Sequence, residues 1–79
     1  MWKMIIDLKK LEHVKDKSVY NHNFYKGRED NTDTMLLVDS RDDTNNVTCY
    51  IVDDTSSVFL GCGQDCDEVL HIDLGIFYT

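Results

Sequence analysis

The stretch MLLVDSRDDTNNVTCYIV, residues 35–52, decides how this chain folds. Met35 and Leu37 alternate with Leu36 and Val38, and Val47, Cys49 and Ile51 alternate with Thr48, Tyr50 and Val52. A period of two, in runs rich in β-branched and aromatic residues, predicts two strands. Between them DSRDDTNN, residues 39–46, has the Asp, Asn, Ser and Thr content of a turn. The pair reads as an antiparallel hairpin whose loop is too long for a tight two-residue connection.

The same period continues downstream. Residues 53–57, DDTSS, read as the next turn. Val58, Leu60 and Cys62 against Phe59 and Gly61 then form a strand that Gly61, Cys62 and Gly63 are expected to end, since glycine weakens a strand interior. VLHIDLGIFY, residues 69–78, puts Leu70, Ile72, Leu74, Ile76 and Tyr78 on one face and Val69, His71, Asp73, Gly75 and Phe77 on the other. A helix over residues 67–74 competes, but the β-branched and aromatic content and Gly75 favour a strand. Upstream the pattern is mixed. Trp2, Met4, Ile6 and Leu8 alternate as in a strand over residues 2–9, which is the preferred reading, while Met4, Leu8, Leu11 and Val14 also form the stripe of a competing helix reaching Lys15. VYNHNFYK, residues 19–26, predicts a strand with Tyr20, His22 and Phe24 on one face, and a loop follows it. The expected fold is mainly β: a small antiparallel sheet or curled barrel of about five strands, becoming α+β if the N-terminal segment is helical.

At 79 residues the chain is expected to form a single domain, 1–79, with one modest core that gains from a partner or homodimer interface. Its apolar runs are far shorter than the roughly 20 residues of a membrane span, so no membrane is expected. MWKMIIDLKK lacks the cleavage pattern of a signal peptide. The three cysteines form an odd set, which points to free thiols in a reducing, cytoplasmic setting.

Chemistry-bearing patterns are weak. Cys62, Cys66 and His71, with Cys49 from another strand, have the ligand types of a zinc site, but the paired CxxC spacing is missing and free thiols are the simpler reading. His71 and Asp73 share a strand face without a nucleophile beside them. Counted from Asp39, the sixth and twelfth positions are Thr44 and Tyr50, where a calcium loop needs glycine and glutamate. GCG at residues 61–63 is not followed by the Lys and hydroxyl residue of a phosphate loop. No enzyme, metal or cofactor is therefore expected.

Charge is the strongest signal. Residues 1–28 carry seven basic side chains against Asp7, Glu12 and Asp16, whereas residues 29–79 carry twelve acidic ones against Arg41 alone. The net charge is −7. Most of the acidic residues fall in inferred turns, and Asp39, Asp42, Asp43, Asp53, Asp54, Asp65, Asp67 and Glu68 are the candidate partner-binding positions. Short carboxylates fixed on a folded surface can meet Lys and Arg much as phosphates do. The expectation is a non-enzymatic protein-binding module, in its sharper form a nucleic-acid-mimicking inhibitor occupying a cationic groove on a nucleic-acid-processing or defence enzyme. The partner is then a basic protein surface or nucleic-acid-binding protein, with direct nucleic-acid contact disfavoured. Two alternatives stand beside it. Lys9, Lys10, Lys15, Lys17, Lys26 and Arg28, interleaved with Tyr20, Phe24 and Tyr25, suit single-stranded nucleic acid. A structural subunit of a larger assembly would use a strand edge with Trp2, Phe77 and Tyr78. Acidic turns also serve solubility alone.

Overall fold

From His22 onward, hairpin follows hairpin. The computed structural model describes residues 3–40 and 44–75. Its strands are β1 (Lys3–Asp7), β2 (Glu12–His13), β3 (His22–Lys26), β4 (Met35–Ser40), β5 (Asn46–Val52), β6 (Ser57–Cys66) and β7 (Val69–Leu74). All neighbours are antiparallel, in the order β1-β7-β6-β5-β4-β3-β2. The hairpin read from residues 35–52 is β4–β5, in register from Met35↔Val52 to Ser40↔Val47.

The chain itself forces the sheet to curl. A flat seven-stranded sheet would separate its outer strands by about 29 Å. Yet Asp7 at the end of β1 and Glu12 at the start of β2 are joined by a segment that spans at most about 18 Å. That segment is a 3-10 turn, Leu8–Lys10, capped by the Asp7 carboxylate accepting from Lys9 N–H at 3.0 Å. One N-terminal segment thus lines both edges of the sheet, and the result is a half-barrel. Asp65 and Glu68, beside the β6–β7 turn, lie close enough to β3 to help burial raise the Tyr25 phenol above its ordinary value.

The inner face carries the core. Leu36, Val38, Val47, Cys49, Leu70 and Ile72 alternate inward from β4, β5 and β7, and Leu8 closes the bottom from the 3-10 turn. Leu70, Ile72 and Cys49 are fully buried. Burying a side chain of leucine size contributes roughly 1.5–3 kcal/mol.

Several expectations need correction. Among the described residues there are seven strands, not about five; β2 is a two-residue pairing too short to leave a periodic signal, and β6 is longer than expected, running on to Cys66. No α-helix occupies residues 3–15. The Met4–Leu8–Leu11 stripe is produced by a strand followed by the 3-10 turn, both facing the core. Gly61 and Gly63 do not end their strand. A Cβ on Gly61 would overlap the Asp73 carbonyl oxygen, and one on Gly63 that of His71, so glycine here permits β6 to coil tightly against β7. The bulge between Cys49 and Tyr50 on β5 adds to the bend. The predicted strand positions Trp2, Ile76, Phe77 and Tyr78 lie outside the described residues.

Candidate functional site

The acidic positions separate into two groups, at opposite ends of β5. Its seven residues put about 20 Å between them.

At one end are Asp53 and Asp54, in the β5–β6 turn. Asp53 folds back over its own turn. Its Oδ1 accepts from the backbone N–H of Thr55 and Ser56, both at 2.8 Å, and from both hydroxyls at 3.1 Å. Those donors, the backbone N–H of Thr55 foremost, hold its carboxyl below the ordinary 3.8. Asp54 next to it lies near Asp33 of the β3–β4 loop. Asp33 raises the Asp54 carboxyl above its ordinary value, first because the protonated form can hydrogen-bond to the neighbouring carboxylate and then by like-charge repulsion, with Lys17 pulling the other way. Asp33 belongs to this group although sequence reading did not select it. Its partnership depends on the β3–β4 loop folding over a turn that follows more than a strand later, and nothing local signals that. Asp30 stiffens the same loop by accepting from the Thr32 N–H at 2.8 Å and hydroxyl at 2.7 Å.

At the other end are Asp65, Asp67 and Glu68. Cys66↔Val69 closes the β6–β7 hairpin, so Asp67 and Glu68 are its two loop residues, both at positive φ (55° and 66°). This backbone is that of a type I′ turn, for which Asn-Gly is the unstrained choice. Asp65 Oδ1 supports it by accepting from Glu68 N–H at 2.9 Å. The Asp65 N–H donates to the Asn45 carbonyl at 2.8 Å, which joins this turn to the β4–β5 loop. Asp39 stands on the outer face of β4, with His22 Nε2 3.9 Å away. Asp42 and Asp43 lie outside the described residues.

The basic N-terminal region is not held apart from these acids. Lys9 Nζ donates to the Asp67 carbonyl at 3.3 Å and sits 3.4 Å from Asp7 Oδ1, and Lys3 Nζ is 3.9 Å from Asp73 Oδ1. The sequence segregates charge along the chain; the fold partly interleaves it. The aromatic set of the alternative reading is divided as well. Tyr25 packs against the core and stacks on His13 at 5.0 Å, Phe24 is half-buried on the outer face beside Leu37, and Tyr20 is 95 % exposed in the Val19–His22 turn.

The cysteines and His71 do not converge. Cys49 is buried on the inner face, where burial pushes its thiol up to about 11, while Cys62, Cys66 and His71 are on the outer face. Among the described residues no group of three His, Cys, Asp or Glu side chains is arranged to hold a metal. Cys62, His71, Asp73 and Lys3 line a broad concavity of about 580 Å³ across β1, β7, β6 and β5, open to solvent. Within it Gln64 pairs with His71 and Cys62 with Asp73 across the β6–β7 ladder. No helix among the described residues is long and apolar enough to cross a membrane. No protein-family model, curated protein or solved structure matches this chain.

Proposed function

We propose that the protein is a non-enzymatic protein-binding module whose acidic turns enter a cationic groove on a nucleic-acid-processing or defence enzyme, offering carboxylates where that groove receives phosphates. The β6–β7 turn carries the reading. A non-glycine residue in the left-handed region costs roughly 1–2 kcal/mol, yet this turn keeps Asp67 and Glu68 there. Strain retained in a tight connection where a neutral pair would be more stable is the mark of residues kept for what they present. The Asp33–Asp54 pair supports the same reading, because two carboxylates held together gain when a Lys or Arg comes between them. The exposed free thiols of Cys62 and Cys66 favour a reducing, cytoplasmic setting.

Immobilised protein incubated with a native lysate at moderate salt tests this. Basic nucleic-acid-binding proteins should be retained and then released by added duplex DNA. Retention of nothing specific, or of proteins indifferent to DNA, contradicts it.

A second reading has one observation in its favour: Tyr20, almost fully exposed on the turn after Lys15 and Lys17, is placed to stack on a base. Labelled single strands decide between the two. Micromolar binding near physiological salt favours nucleic acid as the ligand; none favours the protein groove.

A further inference from the structure

We propose that β1 is the two-fold interface of a homodimer, pairing antiparallel with β1 of a second copy about Ile5. Leu8 N–H donates to the Glu68 carbonyl at 2.9 Å, which fixes the parity of the β1–β7 ladder. Ile6 and Met4 therefore direct their backbone groups to β7, while Lys3, Ile5 and Asp7 direct theirs to the free side. β1 ends the strand order, so among the described residues the N–H and C=O of Lys3 and Ile5 and the N–H of Asp7 have no sheet partner. Such an edge is a template for another strand.

The sequence of the edge selects its partner. KMIID, reversed on itself about Ile5, sets Lys3 opposite Asp7 at both ends, Ile5 opposite Ile5 and Met4 opposite Ile6. Parity agrees, because the residues with outward backbone groups meet one another. A parallel copy would place Lys3 on Lys3 and Asp7 on Asp7, so the charges reject that alternative. A lysine alone would only guard the edge; lysine and aspartate at opposite ends of one five-residue strand make it self-complementary to an antiparallel copy.

Side-chain exposure points the same way. Ile5 is 60 % exposed on the outer face, and Met4 is 37 % exposed on the face that elsewhere forms the core. Pairing covers the first with its symmetry mate and the second with Ile6 of the second copy. At one end the Lys3–Asp73 ion pair is long, 3.9 Å, and Lys3 remains 67 % exposed; at the other Asp7, 30 % exposed, keeps Lys9 at 3.4 Å and would take Lys3 of the second copy beside it. The contact rests on one short ladder, so it is concentration-dependent.

Sedimentation equilibrium and amide hydrogen exchange test the proposal on the intact chain. The mass should rise from 9.2 kDa toward twice that value with concentration, and the Ile5 and Asp7 amides should exchange more slowly as it does. K3E places like charges at both ends and should weaken association roughly tenfold. K3E/D7K restores the complementarity and should recover most of that loss. D7K removes the cap on Lys9 N–H, so burial of the Cys49 thiol serves as the check on folding. I5K sets two lysines face to face on the axis and should leave a monomer. A wild-type mass of 9.2 kDa at submillimolar concentration with unchanged Ile5 exchange overturns the proposal, as does an I5K dimer of wild-type affinity.

Discussion

Asp53 and Asp54 are adjacent in one turn, yet their carboxyls are driven in opposite directions. Asp53 is depressed by the donors of its own turn, so its contribution to stability is present above the ordinary value of 3.8 and lost as pH falls through and below it. Asp54 is raised by Asp33, so the folded state binds its proton more tightly and its ionisation costs stability at neutral pH; that cost vanishes as pH falls toward 3.8. Thermal melts of D53A should accordingly show a lower Tm than wild type at pH 7, converging with it in acid. D54N should melt higher than wild type at pH 7, also converging in acid. The sequence marked both residues as acidic turn positions and no more, because their difference arises from which backbone N–H groups the turn aims at each carboxylate. The cysteines divide similarly. Native protein should release its Cys62 and Cys66 thiols to a reagent at once and Cys49 only on unfolding, which stoichiometric thiol titration reads directly.

Among the elements, β4, β5 and β7 were legible because their alternation is unbroken and one face is buried; Leu36, Val38, Val47, Cys49, Leu70 and Ile72 fall on the face that the period assigns. β6 was cut short because glycine reads as a terminator wherever the close approach of a second strand is unknown. That approach is a property of the curled sheet, and Gly61 and Gly63 are what allow it. Replacing Gly63 with alanine should force β6 and β7 apart and cost about 1–3 kcal/mol in urea denaturation. The first fifteen residues carried two periods at once. Ile6 of β1, Leu8 of the 3-10 turn and Leu11 just after it reach the same core, while Glu12 and His13 of β2 are exposed, so the helical stripe was real and its cause was tertiary.

For the whole molecule, a count of −7 concealed an arrangement. β1 and the 3-10 turn carry Lys3 and Lys9 across to the acidic β7 side, which trims the field there and leaves carboxylates displayed at both ends of β5. Charge totals made an acidic surface legible; its division into two groups was not, since that follows from strand order and turn direction. The β6–β7 turn offers the cleanest probe of the acidic-surface reading, because D67N/E68G removes both carboxylates while installing the unstrained pair for that turn. The variant should be at least as stable as wild type, so lost binding cannot be lost folding. The decisive measurement is parallel capture from native lysate by wild type and D67N/E68G, with the thermal stability of each recorded. DNA-displaceable basic proteins retained by wild type should fall away from the equally stable variant; undiminished retention by D67N/E68G would contradict a role for the acidic surface in binding.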